Sequence, residues 1–209
     1  DNPSAGKLIQ QNTFRGDALT KQAGGAVAVD LNTTNKIISI TYFRGEEGEE
    51  KINVIQNYNA NGYKDDKGTN VRSTVRNIYN DAGELIQQKT YKGNIFKAGA
   101  DLNAEDLTPA LDQATGPDSR VRSIMYLGGV EGEEKARFIE NYGSKGIDLE
   151  HPDLTRPRST VVNLYNDSDE LYQQWTYRGR VMNEQGEFTM GEAERDKLVR
   201  SVVYMAGNQ

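Results

Sequence analysis

Residues 72–93 read RSTVRNIYNDAGELIQQKTYKG. The run Ser73–Tyr79 alternates and is rich in Thr, Val and Ile, the residues that suit a pleated, half-buried surface. Asn80-Asp81-Ala82-Gly83 follows as a turn, and Leu85–Tyr91 is a second run of strand type. Two such runs around an Asn/Asp/Gly turn read as an antiparallel hairpin.

The same unit recurs along the chain. GKLIQQNTFRG (6–16), GELIQQKTYKG (83–93) and DELYQQWTYRG (169–179) are three copies of one strand. STVRNIYNDAG (73–83) and STVVNLYNDSD (159–169) are two copies of the strand and turn before it. A sister pattern runs through SITYFRGEEGEEK (39–51), SIMYLGGVEGEEK (123–135) and SVVYMAG (201–207). Aligned, they give first strands at 37–42, 74–79, 121–126, 160–165 and 198–204, and second strands at 8–14, 52–58, 85–91, 136–142 and 171–177. The chain starts on a second strand and ends on a first strand, so Leu8–Phe14 and Leu198–Tyr204 read as halves of one missing hairpin.

The expectation is therefore an all-β chain in a single repeat-built domain, residues 1–209. About five antiparallel hairpins would be closed into a ring, propeller-like or a ten-stranded barrel, by pairing of the N- and C-terminal strands. The alternative is pairing between chains, a self-association through Leu8–Phe14 and Leu198–Tyr204 that would also cover both edges. The connections predict an extra strand at 26–31 and short helices within 104–113 and 188–198. Apolar and polar residues occur on both faces of each strand, which predicts a sheet covered on both sides with polar seams or a wet cavity.

Composition narrows the classes. The chain has 209 residues and a net charge of −6, which argues against nucleic acid or an anionic membrane surface as partner. The hydrophobic share is 35%. No apolar run approaches the roughly 20 residues of a membrane-spanning helix. The first residues, DNPSAGK, do not read as a signal peptide. Two sequons, Asn32-Thr33-Thr34 and Asn166-Asp167-Ser168, fit an extracellular or secreted placement.

Groups for chemistry are few. Cysteine is absent and His151 is the only histidine, so thiolate catalysis and common transition-metal sites are excluded, and no metal or cofactor is expected. His151 reads as a surface-loop residue. The acidic runs Glu46-Glu47-Gly48-Glu49-Glu50 and Glu131-Gly132-Glu133-Glu134 fall at hairpin tips, where charge keeps strand ends solvated. Asp65-Asp66 and the Asp148/Glu150 pair lack the alternating oxygen spacing of a calcium loop. Eleven tyrosines and one tryptophan remain, suited to stacking on sugar rings or planar ligands and equally to cross-strand packing. Tyr63, in the loop NANGYKDD, and Trp175, where the sister strands carry Asn12 and Lys89, break the repeat and stand out as ligand candidates.

STVRNIYNDAGELIQQ and GGAVAVDLNTTNKIISITYF resemble the fungal-type fucose-binding β-propeller lectins. The hairpins also look like YD-type repeats and calycin-like barrels. The lectin resemblance implies that Arg76 stands at the sugar-binding arginine, Tyr63 at the aromatic exit residue, and Gln87 or Gln88 at the sugar-binding glutamate. Val162 replaces the arginine in the next copy. The expected function is non-enzymatic, lectin-like carbohydrate recognition at Arg76, Gln87, Tyr63 and Trp175. A barrel carrier of a small molecule and an extracellular subunit assembling through its terminal strands are the alternatives.

Overall fold

The computed structural model describes residues 6–16, 19–21, 27–29, 37–63, 70–112, 120–144, 146–147 and 156–205, with the backbone alone for 19–21 and 27–29. His151, Asp65-Asp66, Asp148/Glu150 and the sequon at Asn32 lie outside these residues. The strands are β1 (Gln10–Phe14), β2 (Leu19–Lys21), β3 (Val27–Val29), β4 (Ile37–Arg44), β5 (Lys51–Tyr58) and β6 (Val71–Tyr79). They continue with β7 (Leu85–Lys92), β8 (Val121–Gly128), β9 (Lys135–Asn141), β10 (Ser159–Tyr165), β11 (Leu171–Arg178) and β12 (Val199–Tyr204). One helix, α1 (Glu192–Asp196), precedes β12.

All ten repeat strands form, in one antiparallel sheet of order β1-β4-β5-β6-β7-β8-β9-β10-β11-β12, while β2 and β3 make a separate two-stranded hairpin. No helix among the described residues is long and apolar enough to cross a membrane, which says nothing of strands. The extra strand expected at 26–31 is β3, and α1 lies within 188–198. The helix expected within 104–113 is not there. Residues 104–112 form turns, with the Asp106 carboxylate accepting from the Thr108 amide at 2.8 Å and Ala110 bonding back to Leu107 at 3.1 Å.

The ring does not close as expected. β1 pairs with β4 and β12 with β11, and the two terminal strands are opposite ends of the order, each with one free edge among the described strands. The reason lies in strand type. β12 (VRSVVY) is the sister of β4 and β8, whose further neighbours are β5 and β9. β1 is the sister of β7 and β11, whose further neighbours are β6 and β10. The termini are thus parts of two different hairpins, and neither offers the other its usual partner.

Contacts divide the chain into two compact units: Asp1–Arg76 with Tyr91–Pro117, and Asn77–Thr90 with Asp118–Gln209. In the first, Ile37, Ile40, Tyr58 and Val71 pack as one buried cluster, Phe96 and Leu102 of the connection after β7 lie beside Tyr58, and Val54, Ile95 and Leu107 are buried as well. In the second, Val121, Ile124, Tyr126, Phe138 and Val162 are covered by Val181 and Met182 of the connection after β11. Ile55 and Val75, and likewise Met125, Ile139 and Val161, are half-buried.

Turns and bulges repeat with the strands. Asn80 accepts through Oδ1 from the Ala82 and Glu84 amides, both at 3.0 Å, and donates through Nδ2 to the Glu84 carboxylate at 2.7 Å. Asn166 does the same with Ser168 and Glu170. The turn needs a left-handed residue, supplied by Gly83 at φ 81° in one copy and by Asp169 at φ 63° in the other. In the β4–β5 pair a bulge leaves Asn53 between the partners of Tyr42 and Phe43. Its buried amide donates to the Leu102 and Ala104 carbonyls at 3.0 and 2.7 Å, stitching the covering connection to the sheet.

The acidic tips have a structural task beyond solvation. Glu50 accepts from the Leu8 amide at 2.8 Å and from Gly48 at 3.0 Å; Glu134 accepts from Leu85 at 2.9 Å and from Gly132 at 3.0 Å. Each final glutamate closes its own tip and clips the start of a strand of the LIQQ type.

Candidate functional site

On β5 the inward residues are Val54, Gln56 and Tyr58; on β9 they are Phe138 and Glu140, continued by Tyr142 just past its end. Strand alternation puts each triplet on one face, because successive side chains point to opposite sides. The residue just past the TYKG or TYRG strand end meets the middle member of the triplet: Asn94 in the first unit, Arg180 in the second.

In the first unit the Tyr58 hydroxyl donates to Gln56 Oε1 at 3.1 Å, and Gln56 Nε2 donates to Asn94 Oδ1 at 3.1 Å. Asn94 Nδ2 in turn donates to the Phe96 carbonyl at 3.0 Å. This chain of amides forms one wall of a cavity of about 220 Å³, closed by Tyr42, Tyr63 and Lys97. Tyr63 stands edge-on to Tyr58, ring centroids 5.5 Å apart and planes at 82°.

The second unit repeats the arrangement with charges. Arg180 Nε donates to Glu140 Oε1 at 2.6 Å and Nη2 to Oε2 at 2.9 Å, while the Tyr142 hydroxyl donates to Oε2 at 2.7 Å. Glu140 is 1% exposed and Arg180 48%. Buried carboxylates persist when hydrogen-bonded and paired, and this one has a two-point guanidinium partner. The hydrogen bond to Glu140 holds the guanidinium above its ordinary pKa. Burial first, then Glu140, pushes the Tyr142 hydroxyl well above the ordinary phenol value; the same causes act on Tyr126, which stacks on Phe138 at 4.2 Å. A cavity of about 390 Å³ lies here, lined by Tyr126, Glu140, Arg180 and Glu184.

The four residues singled out from sequence are distributed over both units. Tyr63 lines the first-unit cavity. Arg76 lies on β6 opposite Val54, itself opposite Tyr42, and is not among the residues lining the cavity. It adds a small attraction to Asp106, whose carboxyl is lowered mainly by the Thr108 amide. Gln87, in the second unit, is half-buried on β7; its neighbour Gln88 donates to Asn77 at 3.0 Å, as Gln174 does to Asn163. Trp175 lies opposite Val162 and Val202, its Nε1 donating to Gln173 at 3.0 Å and its ring 6.1 Å from Tyr177.

Sequence reasoning passed over Gln56 with Asn94 and Glu140 with Arg180. A signal existed: the sister strands set Gln56 and Glu140 two places before a tyrosine, and TYKGN and TYRGR set Asn94 and Arg180 alike. A neutral pair in one copy is an ionic pair in the other. No family model, curated protein or solved structure matches this chain, so geometry alone carries the functional reading.

Proposed function

We propose that the protein is a non-enzymatic, lectin-like carbohydrate binder whose first site is the cavity between Tyr42, Tyr58 and Tyr63. The observation that carries this is the joining of tyrosine rings with an amide chain, Gln56 to Asn94, in one cavity of about 220 Å³. Drug-sized pockets run to roughly 300–1,000 Å³, so this one suits a single sugar ring. Aromatic rings offer apolar area to the C–H face of a sugar, and amides offer both donor and acceptor to its hydroxyls. The proposal does not need a closed ring, since each cavity is built within one unit.

The test is a glycan array followed by titration of any hit against Tyr63→Ala. Binding that falls at least about tenfold in the variant, with an unchanged circular dichroism melt, supports the reading. An array at background level, or a hit indifferent to Tyr63, overturns it.

A second reading is favoured by the free edges of β1 and β12, where Leu8, Ile9 and Val203 are exposed and Tyr204 is 71% exposed. Such edges accept further strands, as in a self-assembling subunit. Light scattering over a concentration series separates the two, since a concentration-independent monomer excludes strand-linked assembly. The carrier alternative calls for a barrel lumen, which the open strand order does not supply.

A further inference from the structure

We propose that a second cavity of the second unit is an oxyanion site, taking the carboxylate or sulfate of an acidic saccharide; the saccharide part rests on the carbohydrate reading above. This cavity, about 640 Å³, is lined by Arg156, Arg178, Arg180, Thr189, Met190 and Leu198. Among the described residues three guanidinium groups line it and no carboxylate does, in a chain whose net charge is −6. Among the described residues, no carboxylate forms an ion pair with Arg156 or Arg178.

The fold does not impose this charge. The hairpin copies set Asn70, Lys92 and Asn94 of the first unit where the second has Arg156, Arg178 and Arg180. Two neutral side chains and one lysine serve the same backbone positions; of the three arginines only Arg180 has a buried carboxylate, Glu140, as its partner among the described residues.

Arg180 is prepared for such a ligand. Glu140 holds its Nε and Nη2, and Nη2 also donates to the Tyr142 hydroxyl at 3.1 Å. Nη1 makes no hydrogen bond among the described residues, and the side chain is 48% exposed. A guanidinium locked by a buried carboxylate loses little freedom on binding, and its Nη1 keeps two N–H donors for an oxyanion oxygen. Arg156 and Arg178 add charge at the rim, the Thr189 hydroxyl a further donor, and Met190 and Leu198 an apolar wall for a sugar ring.

The test is calorimetric titration of the whole chain with inorganic sulfate, a sulfated disaccharide, a uronic acid oligomer and a neutral oligosaccharide. It is repeated in Arg156→Gln and Arg178→Gln, with Arg15→Gln as control. Arg156 and Arg178 are exposed, so both variants keep the Glu140–Arg180 pair and the fold. Loss of a charge-assisted hydrogen bond weakens a ligand by about 10- to 100-fold. Expected is such a loss for the acidic ligands in both variants, none in the control, and a steep fall of affinity with added salt. Absence of any anion binding at millimolar concentration, or binding indifferent to both variants, overturns the site. Sulfate that binds and is lost in the variants while no saccharide binds keeps the oxyanion site and removes the carbohydrate reading. Neutral glycans that bind without any anion do the reverse.

Discussion

Glu140 and Arg180, forty residues apart in sequence, meet side by side: Nε to Oε1 at 2.6 Å and Nη2 to Oε2 at 2.9 Å. At the matching positions of the first unit Gln56 and Asn94 meet at 3.1 Å. One backbone arrangement therefore carries a neutral pair in one place and an ionic pair in the other.

The exchange should be transferable. Arg180→Asn alone leaves the Glu140 carboxylate, 1% exposed, without its cation. The cost should be roughly 2–3 kcal/mol, below the roughly 3–5 kcal/mol of a fully buried pair because Arg180 is half exposed. Adding Glu140→Gln recreates the first-unit pair and should recover most of that loss. Urea unfolding of the two single variants and the double variant measures the coupling.

Alkaline titration should separate two classes of tyrosine. The Tyr126 and Tyr142 hydroxyls are raised above the ordinary phenol value, first by burial and then by Glu140. A folded-state value above the unfolded one gives stability that is whole below pH 10 and is lost as pH rises above it. Near-ultraviolet absorbance should show these two phenols ionising only with unfolding, while all eleven tyrosines titrate together in urea.

Asp169→Gly should stabilise. Asp169 holds φ 63° where the sister turn has Gly83 at φ 81°, and glycine takes that conformation without steric cost. The change forfeits an ion pair to Lys135 at 3.2 Å, but Asp169 is 78% exposed there and such pairs contribute little. A net gain of about 0.5 kcal/mol should appear as a raised unfolding midpoint.

Acid should loosen the start of β1 before the rest. The Leu8 amide is the largest cause that lowers the Glu50 carboxyl below 4.5. A lowered carboxyl stabilises above its unfolded pKa, and that contribution disappears as pH falls through the lower folded value. Proton exchange at the Leu8 amide, corrected for intrinsic rate, should lose protection over that interval, and Glu50→Gln should weaken it at neutral pH. Protection that ignores both changes would show that the clip does not hold the strand.

Much of the fold was legible because strand repeats carry their own pattern. Ser73–Tyr79 and Leu85–Tyr91 alternate, the Asn80 turn is written in a few residues, and all ten repeat strands lie close to the places the copies mark. The site was legible only in part. Tyr63 stood out as a break in the repeat, and it does line the first-unit cavity. Asn94, which lines the same cavity, follows a strand end and reaches β5 across a separation of 38 residues, so its contact with Gln56 is not a local property. Closure of the sheet is not a local property either. β1 and β12 read alike as unpaired halves in sequence, but the strand order puts them at its two ends and gives their sisters different neighbours.

By itself, the order of residues determined the strands, their turns and their antiparallel sequence, since period-two alternation and Asn-centred turns act over a few bonds. Tertiary structure alone decided which connection covers which sheet face. It also brought Asn94 to Gln56 and Arg180 to Glu140, and left both terminal strands with an open edge among the described strands. Those outcomes depend on chain segments tens of residues apart being brought into hydrogen-bond distance, where burial makes an unpaired polar group costly and a matched one stable.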